Sequence, residues 1–202
     1  LDKLWKSKNA PADEFARVAC QQWLDVRSFG QVFAFKAEKQ GGGVSIGIRG
    51  PVSIHPAFSL NPIDITSLQI TKSVNSEPGN TRGSDTMGMK HRVDSGVYVF
   101  YGSVNTQLAE KTGFTHDDSE KLKQALLTLF ENDASSARPE GSMEVRKVFW
   151  WKHKSKLGQY SSAKVHRSLQ YKPIVPEPRT FEDYEFIVSP LEGLEVEVLD
   201  GR

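Results

Sequence analysis

The sequence predicts an α+β fold built on antiparallel hairpins. Apolar residues recur at helical spacing near the start of the chain and again past its middle. Several short runs alternate with period two, and turns rich in Gly, Pro, Asn or Ser separate them. Taken in order, Ala12 to Leu24 reads as the first helix. Phe15, Val18, Ala19, Gln22 and Trp23 fall on one face, Asp13 and Glu14 sit in the first turn, and Pro11 marks the start. Gln31 to Lys36 switches to period two, residues 40–43 form a flexible Gln-Gly-Gly-Gly connection, and Val44 to Arg49 returns as the second arm of a hairpin. Gly50-Pro51 interrupts it, an extended stretch covers Val52 to His55, and Leu60-Asn61-Pro62 turns the chain.

Leu68 to Val74 reads as a strand, and residues 75–85 as a mobile loop. Residues 86–101 bring the chain back as the second arm of a long hairpin. In this reading Lys90, His91 and Arg92 lie in a flexible basic loop. Val97, Val99 and Tyr101 then alternate with Tyr98, Phe100 and Gly102 in a strand interior to a sheet. Asn105 caps a short helix, Thr106 to Lys111, that stops at Gly113. A longer helix follows, with Asp117 and Asp118 in its first turn and Leu122, Ala125, Leu126, Leu129 and Phe130 on its buried face. Ser142 to His153 is a further strand with one face part aromatic and part basic. Phe186 to Val188 and Leu194 to Leu199 are weaker strands.

The 202 residues are enough for one medium domain that buries about 70% of its unfolded surface. A single Cys20 cannot pair within the chain, which suits a reducing cytoplasm, and no run approaches the roughly 20 apolar residues of a membrane span. No basic n-region followed by an apolar stretch opens the sequence, so no secretory signal is expected, and a first residue Leu1 in place of Met points to a true N-terminus upstream. Its net charge of +1 conceals a separation. Arg146, Lys147, Lys152, Lys154, Lys156, Lys164, Arg167 and Lys172 face Glu144 alone, whereas Glu177 to Arg202 is strongly acidic. A nucleic-acid-binding face with an acidic segment kept away from it or docked on a neighbour is one reading, and two solvated surfaces the other.

Motifs for catalysis lack their structural context. Gly43-Val44-Ser45-Ile46-Gly47 has the G-x-S-x-G spacing, but a nucleophile elbow needs a strand, a sharp turn and then a helix. Here a strand continues through Ser45. Gly83 to Gly88 has phosphate-loop spacing, yet Lys90 comes one place late and a strand follows. His55, His91, His116, His153 and His166 show no zinc-site spacing, and Asp117 and Asp118 beside His116 are expected at a helix start. No metal site, cofactor or enzymatic activity is expected. What remains is Trp150, Trp151 and Tyr160 interleaved with Lys147, Lys152, His153, Lys154 and Lys156, as suits single-strand binding by phosphate neutralisation and stacking. A polar loop at 135–141 offers backbone amides and Arg138 to phosphate.

Six segments, in order, resemble one family. They are Asp25-Val26-Arg27-Ser28-Phe29-Gly30, Arg49-Gly50-Pro51-Val52, Ser59-Leu60-Asn61-Pro62, Thr86-Met87-Gly88-Met89-Lys90-His91, Leu108-Ala109-Glu110-Lys111-Thr112-Gly113-Phe114 and Ser135-Ser136-Ala137-Arg138. Over about residues 12–172 the chain resembles the repeated backbone subunit of type I CRISPR surveillance (Cascade) complexes, of the RAMP superfamily, most closely the type I-C form. The resemblance implies an RRM-like (ferredoxin-like) palm with an antiparallel sheet, a β-hairpin thumb and insertions. The palm would be 12–67 and 96–172, the thumb about 68–95, and 173–202 an acidic C-terminal segment. It implies a soluble, non-catalytic subunit that polymerises along CRISPR RNA and presents it for pairing with target DNA, beside other copies of itself and other Cascade subunits. It makes Lys72, Arg82, Met87, Lys90, His91 and Arg92 thumb contacts to RNA, and Arg27 and Arg49 palm contacts. The family begins with a strand and an Asn/Gly-rich loop upstream of the first helix, and neither is evident here. We read the first strand as missing from this chain. Two other functions remain open at this point: a metal-independent CRISPR RNA-processing endoribonuclease of the same superfold using His91, and a generic RRM-like single-stranded RNA binder.

Overall fold

The computed structural model describes residues 12–35, 44–71 and 87–202. Expectations placed on Pro11, Lys36, residues 40–43, Lys72, residues 73–85 with Arg82, and Thr86 lie outside the described residues. The α+β class is as expected: short helices alternate with strands paired two by two, and no barrel closes among the described residues. By its internal contacts the chain divides into two compact units. One is Leu1–His55, Tyr101–Gln170 and Ile187–Arg202, and the other Pro56–Phe100 and Tyr171–Phe186.

In the first unit the expected opening helix is broken. Helix α1 (Ala12–Gln22) stops, Trp23 takes an extended backbone, and α2 (Leu24–Phe29) restarts at once. The turn of the chain at Trp23 leaves that residue exposed, and the buried residues of α1 are Phe15, Ala19 and Cys20. Strands β1 (Gly30–Phe35) and β2 (Val44–Arg49) form the expected antiparallel hairpin, in register from Gly30 opposite Arg49 to Phe35 opposite Val44. Phe15, Ala19, Cys20 and Val26 make the core, against which Phe33, Ile46 and Ile48 pack. The Phe15 ring meets Phe33 edge-on at 5.0 Å. Gly30 and Gly50 are required by close backbone approach. A Cβ on Gly30 would lie 2.2 Å from the Ile48 carbonyl oxygen, and one on Gly50 2.3 Å from that of Ser28.

Strand β3 (Val52–Ile54) pairs with β8 (Gly102–Val104). Helix α3 (Thr106–Thr112) is capped by Asn105, whose side chain accepts from the Leu108 amide at 3.0 Å, and ends on Gly113. Helix α4 (His116–Leu127) opens with a capping box between Thr115 and Asp118. Its buried residues are not the expected apolar set. Ala125 and Leu129 are exposed, while Asp118, Lys123 and Leu127 are buried. Each buried charge has a partner, which is the condition for burying it. Lys123 reaches both Glu120 and Glu197 at 2.8 Å, and Asp118 is held by Arg27.

Strand β9 (Lys147–Trp151) is shorter than expected and pairs antiparallel with β12 (Val196–Asp200), Trp151 opposite Val196 and Lys147 opposite Asp200. The last strand of the acidic segment is therefore not kept away from the basic-aromatic strand: it docks on it within the same unit. A further helix, α5 (Ser162–Ser168), lies in a stretch to which the sequence reading assigns no element; Ser161 caps it.

In the second unit β4 (Phe58–Ser59) pairs with β7 (Tyr98–Val99), and β5 (Ile65–Thr71) with β6 (Met87–Val93). Strand β10 (Leu169–Pro173), whose residues from Tyr171 on belong to this unit, pairs with β11 (Tyr184–Val188), which belongs to it as far as Phe186, and a 3₁₀ turn, Phe181–Asp183, precedes the latter. Two expectations are corrected here. Tyr98–Val99 has one strand neighbour among the described residues and Tyr98 and Phe100 are exposed, so this segment is not interior to a sheet. Lys90, His91 and Arg92 are not in a loop: they belong to β6, because the basic run alternates in step with Leu68, Ser67 and Thr66 opposite it.

Candidate nucleic-acid interface

The β5–β6 ribbon has a distinct composition on each side. Residues directly opposite in an antiparallel pair share a face, and neighbours along a strand alternate. One face therefore carries Met87, Met89, His91 and Val93 with Ile65, Ser67, Gln69 and Thr71, and the other carries Lys90 and Arg92 with Thr66, Leu68 and Ile70. Every residue of β6 is exposed, Met87 by 63%, and so are Ile65, Leu68 and Ile70 on β5. A two-stranded ribbon is marginal alone in water, and apolar side chains exposed on both of its faces mark a surface meant to be covered.

Polar contacts fix the ribbon's side chains. Ser67 Oγ lies 2.8 Å from His91 Nδ1, Gln69 donates to the Met87 sulfur, and Arg92 Nε donates to Asp94 at 2.8 Å. The Thr66 hydroxyl also donates to Asp94, and these two bonds hold the Asp94 carboxyl below its usual range. Sequence reasoning found the cations but missed Thr66, Ser67 and Asp94. The alternation of β5 against β6 was the signal for them.

The remaining expected contacts lie in the first unit. Arg27 is turned inward: Nε and NH2 donate to the two oxygens of Asp118 at 2.9 and 2.7 Å, and NH1 donates to the Cys20 carbonyl at 3.3 Å. That guanidinium, with the Thr115 amide and hydroxyl, drives the Asp118 carboxyl far below the usual carboxylate range. Arg49 is exposed at the end of β2. Arg138 closes a turn with Ser135 and pairs with Asp133 at 2.9 Å. Lys147 bonds Asp200 at 2.5 Å, Lys152 bonds His116, and Lys156 bonds Glu110. Lys154 and Lys156 share one exposed loop after β9. Trp150 and Trp151 are half-buried in the β9–β12 ladder, with Lys123 Nζ 5.8 Å from the Trp150 ring centre. Lys72 and Arg82 lie outside the described residues. Among the described residues no three His, Cys, Asp or Glu side chains gather as a metal site would require, and no helix is long and apolar enough to cross a membrane.

Small antiparallel ladders, short helices and an exposed basic-apolar ribbon define an α+β protein. A family model, CRISPR-associated protein Cas7, matches residues 2–189. The chain belongs to that family. A relative from Haloferax volcanii, described as CRISPR-associated protein Cas7, is 26% identical over 124 residues, which cover 55% of this chain and 36% of the relative. The chain thus spans well under half the length of that relative.

Proposed function

We propose that the chain is a non-catalytic CRISPR RNA-binding subunit of a Cascade complex of type I-C. Copies of it polymerise along the guide, beside other Cascade subunits, and display the guide for pairing with target DNA. The observation that carries this reading is the β5–β6 ribbon, where Lys90 and Arg92 share a face with Leu68 and Ile70 and the opposite face exposes Met87, Met89, Val93 and Ile65 among polar residues. One face suits a phosphate backbone next to bases, and the other suits protein. Membership of the Cas7 family supports the choice of RNA.

The alternation along β6 also supports a binding role over cleavage. Metal-independent cleavage needs a general base and cationic stabilisation converging on one phosphate. His91 is on the face opposite Lys90 and Arg92, and Ser67 engages its Nδ1. The three therefore do not form one constellation.

Filter binding to a repeat-spacer RNA at several salt concentrations tests the proposal. Each phosphate neutralised on a single strand contributes about 0.7 to the magnitude of the log-log salt slope. Lys90→Glu with Arg92→Glu should weaken binding and flatten that slope. Unchanged affinity and slope would sink the assignment, as would metal-free cleavage of precursor RNA that His91→Ala abolishes.

A further inference from the structure

The turn after β9 stands out in the sequence for its lysines, and the ribbon does not account for it. At 155–158 the Gly158 amide donates to the Ser155 carbonyl at 3.1 Å, and Gly158 has a φ of +79°. The turn is braced from several sides. Gln159 Oε1 accepts from the Lys154 amide at 2.7 Å, Gln159 Nε2 donates to the Gly193 carbonyl at 2.6 Å, and the Gln159 amide donates to His153 Nδ1 at 3.0 Å. The Tyr160 hydroxyl donates to the Glu192 carbonyl at 2.9 Å, and the Thr106 hydroxyl to the Lys156 carbonyl at 2.6 Å. On the tip of this held turn Leu157 is 86% exposed.

An ordered turn that holds a leucine out in water has had most of its ordering cost met before any partner arrives. The surroundings decide which partner. Lys152, Lys154 and Lys156 precede the leucine, Lys164 follows, and the partner of Lys156 is an exposed glutamate that a phosphate can replace. A protein-binding hot spot is built from a cluster of large side chains, whereas here a single strongly exposed leucine is flanked in the sequence by cations. That composition belongs to an apolar wedge inserted at a base step, with lysines on the flanking phosphates.

We propose that the turn at 155–158 is a second nucleic-acid contact, in which Leu157 wedges between stacked bases of a duplex and Lys154 and Lys156 hold the adjacent phosphates. The assignment is independent of the ribbon, which it neither uses nor requires.

Titrating the full chain into a short DNA duplex carrying 2-aminopurine tests it, with anisotropy reading affinity and 2-aminopurine emission reading unstacking. The wild-type chain should raise the emission. Leu157→Ala should remove most of that rise while changing affinity only a few-fold. Lys154→Gln with Lys156→Gln should lose at least tenfold in affinity and flatten the salt slope by about 0.9 for each phosphate no longer neutralised. The proposal is overturned if the wild-type chain gives no emission rise, if Leu157→Ala preserves it, or if the lysine variants keep the slope. Loss of self-association in Leu157→Ala with an unaltered duplex signal would also overturn it, by assigning the turn to a protein contact.

Discussion

Arg27 with Asp118 and Arg92 with Asp94 are the same chemical pair at nearly the same distance, 2.7 and 2.8 Å, in two very different settings. The first joins residues 91 apart in the chain, on α2 and α4, and Asp118 is only 3% exposed. The second joins residues two apart on an exposed ribbon, with both side chains about half in water. Distance therefore says little about what an ion pair does. Burial turns the first into a clasp of the fold, since either charge left alone there would be stranded, while the second can open and offer its guanidinium elsewhere.

The largest effect should follow from breaking the clasp. Asp118→Ala strands the Arg27 charge and removes the N3 half of the α4 capping box, so it should cost about 3–5 kcal/mol and lower the melting temperature by on the order of 10 °C. The pH dependence has a definite sign. The folded-state carboxyl is depressed, so its stabilisation is present in full above the unfolded value of about 4 and is lost as pH falls below that, toward the folded value. Urea midpoints between pH 7 and pH 2.5 should fall steeply for the wild-type chain and less steeply for Asp118→Asn. Parallel curves would mean that another group dominates acid unfolding.

A second effect belongs to the same unit. A Cβ at Gly50 would sit 2.3 Å from the Ser28 carbonyl oxygen and 2.5 Å from the Phe29 carbonyl carbon, both backbone atoms that cannot step aside alone. Gly50→Ala should cost about 1–3 kcal/mol through forced backbone shifts, read as a lower urea midpoint. Smaller again is Thr115→Ala. It removes the α4 cap bond to the Asp118 amide but leaves Arg27 in place, for about 1 kcal/mol. If Thr115→Ala matched Asp118→Ala, the cap and not the ion pair would be the clasp.

Elements whose signal is local are legible in the sequence. The β1–β2 hairpin has nearly the boundaries its alternation predicts, and the Asn105 cap and the stop at Gly113 stand where expected, because period-two alternation, cap chemistry and a left-handed glycine act over a few residues. Pairing across the chain is not legible. Nothing near Arg27 shows that Asp118 will meet it, and nothing near Lys147 shows that Asp200 will lie opposite it in a ladder. The sequence counts charges, whereas the fold divides them into those satisfied internally and those turned to solvent. For the same reason the buried face of α4 departs from its apolar pattern: a buried Lys123 is unreadable without Glu197. The basic run of β6 reads as a loop because its apolar neighbours are few. Its register against β5 lies in a partner strand some twenty residues earlier.

The smallest predicted effect separates the two kinds of cation most sharply. Lys147 stands opposite Asp200 in the β9–β12 ladder and bonds it at 2.5 Å, so much of its charge is already balanced within the chain. Lys147→Gln should therefore change the salt slope of RNA binding by much less than the roughly 0.7 expected for a cation that neutralises a phosphate. The converse variant sharpens the point. Asp200→Asn keeps the strand and its register but releases the lysine and removes a negative charge, so affinity for RNA should rise slightly at low salt and converge with wild type at high salt, where exposed charges are screened. A full drop of about 0.7 on Lys147→Gln would show that Asp200 gives way to phosphate as readily as Asp94 is expected to. The division between internally balanced and outward-facing cations would then lie elsewhere on this surface.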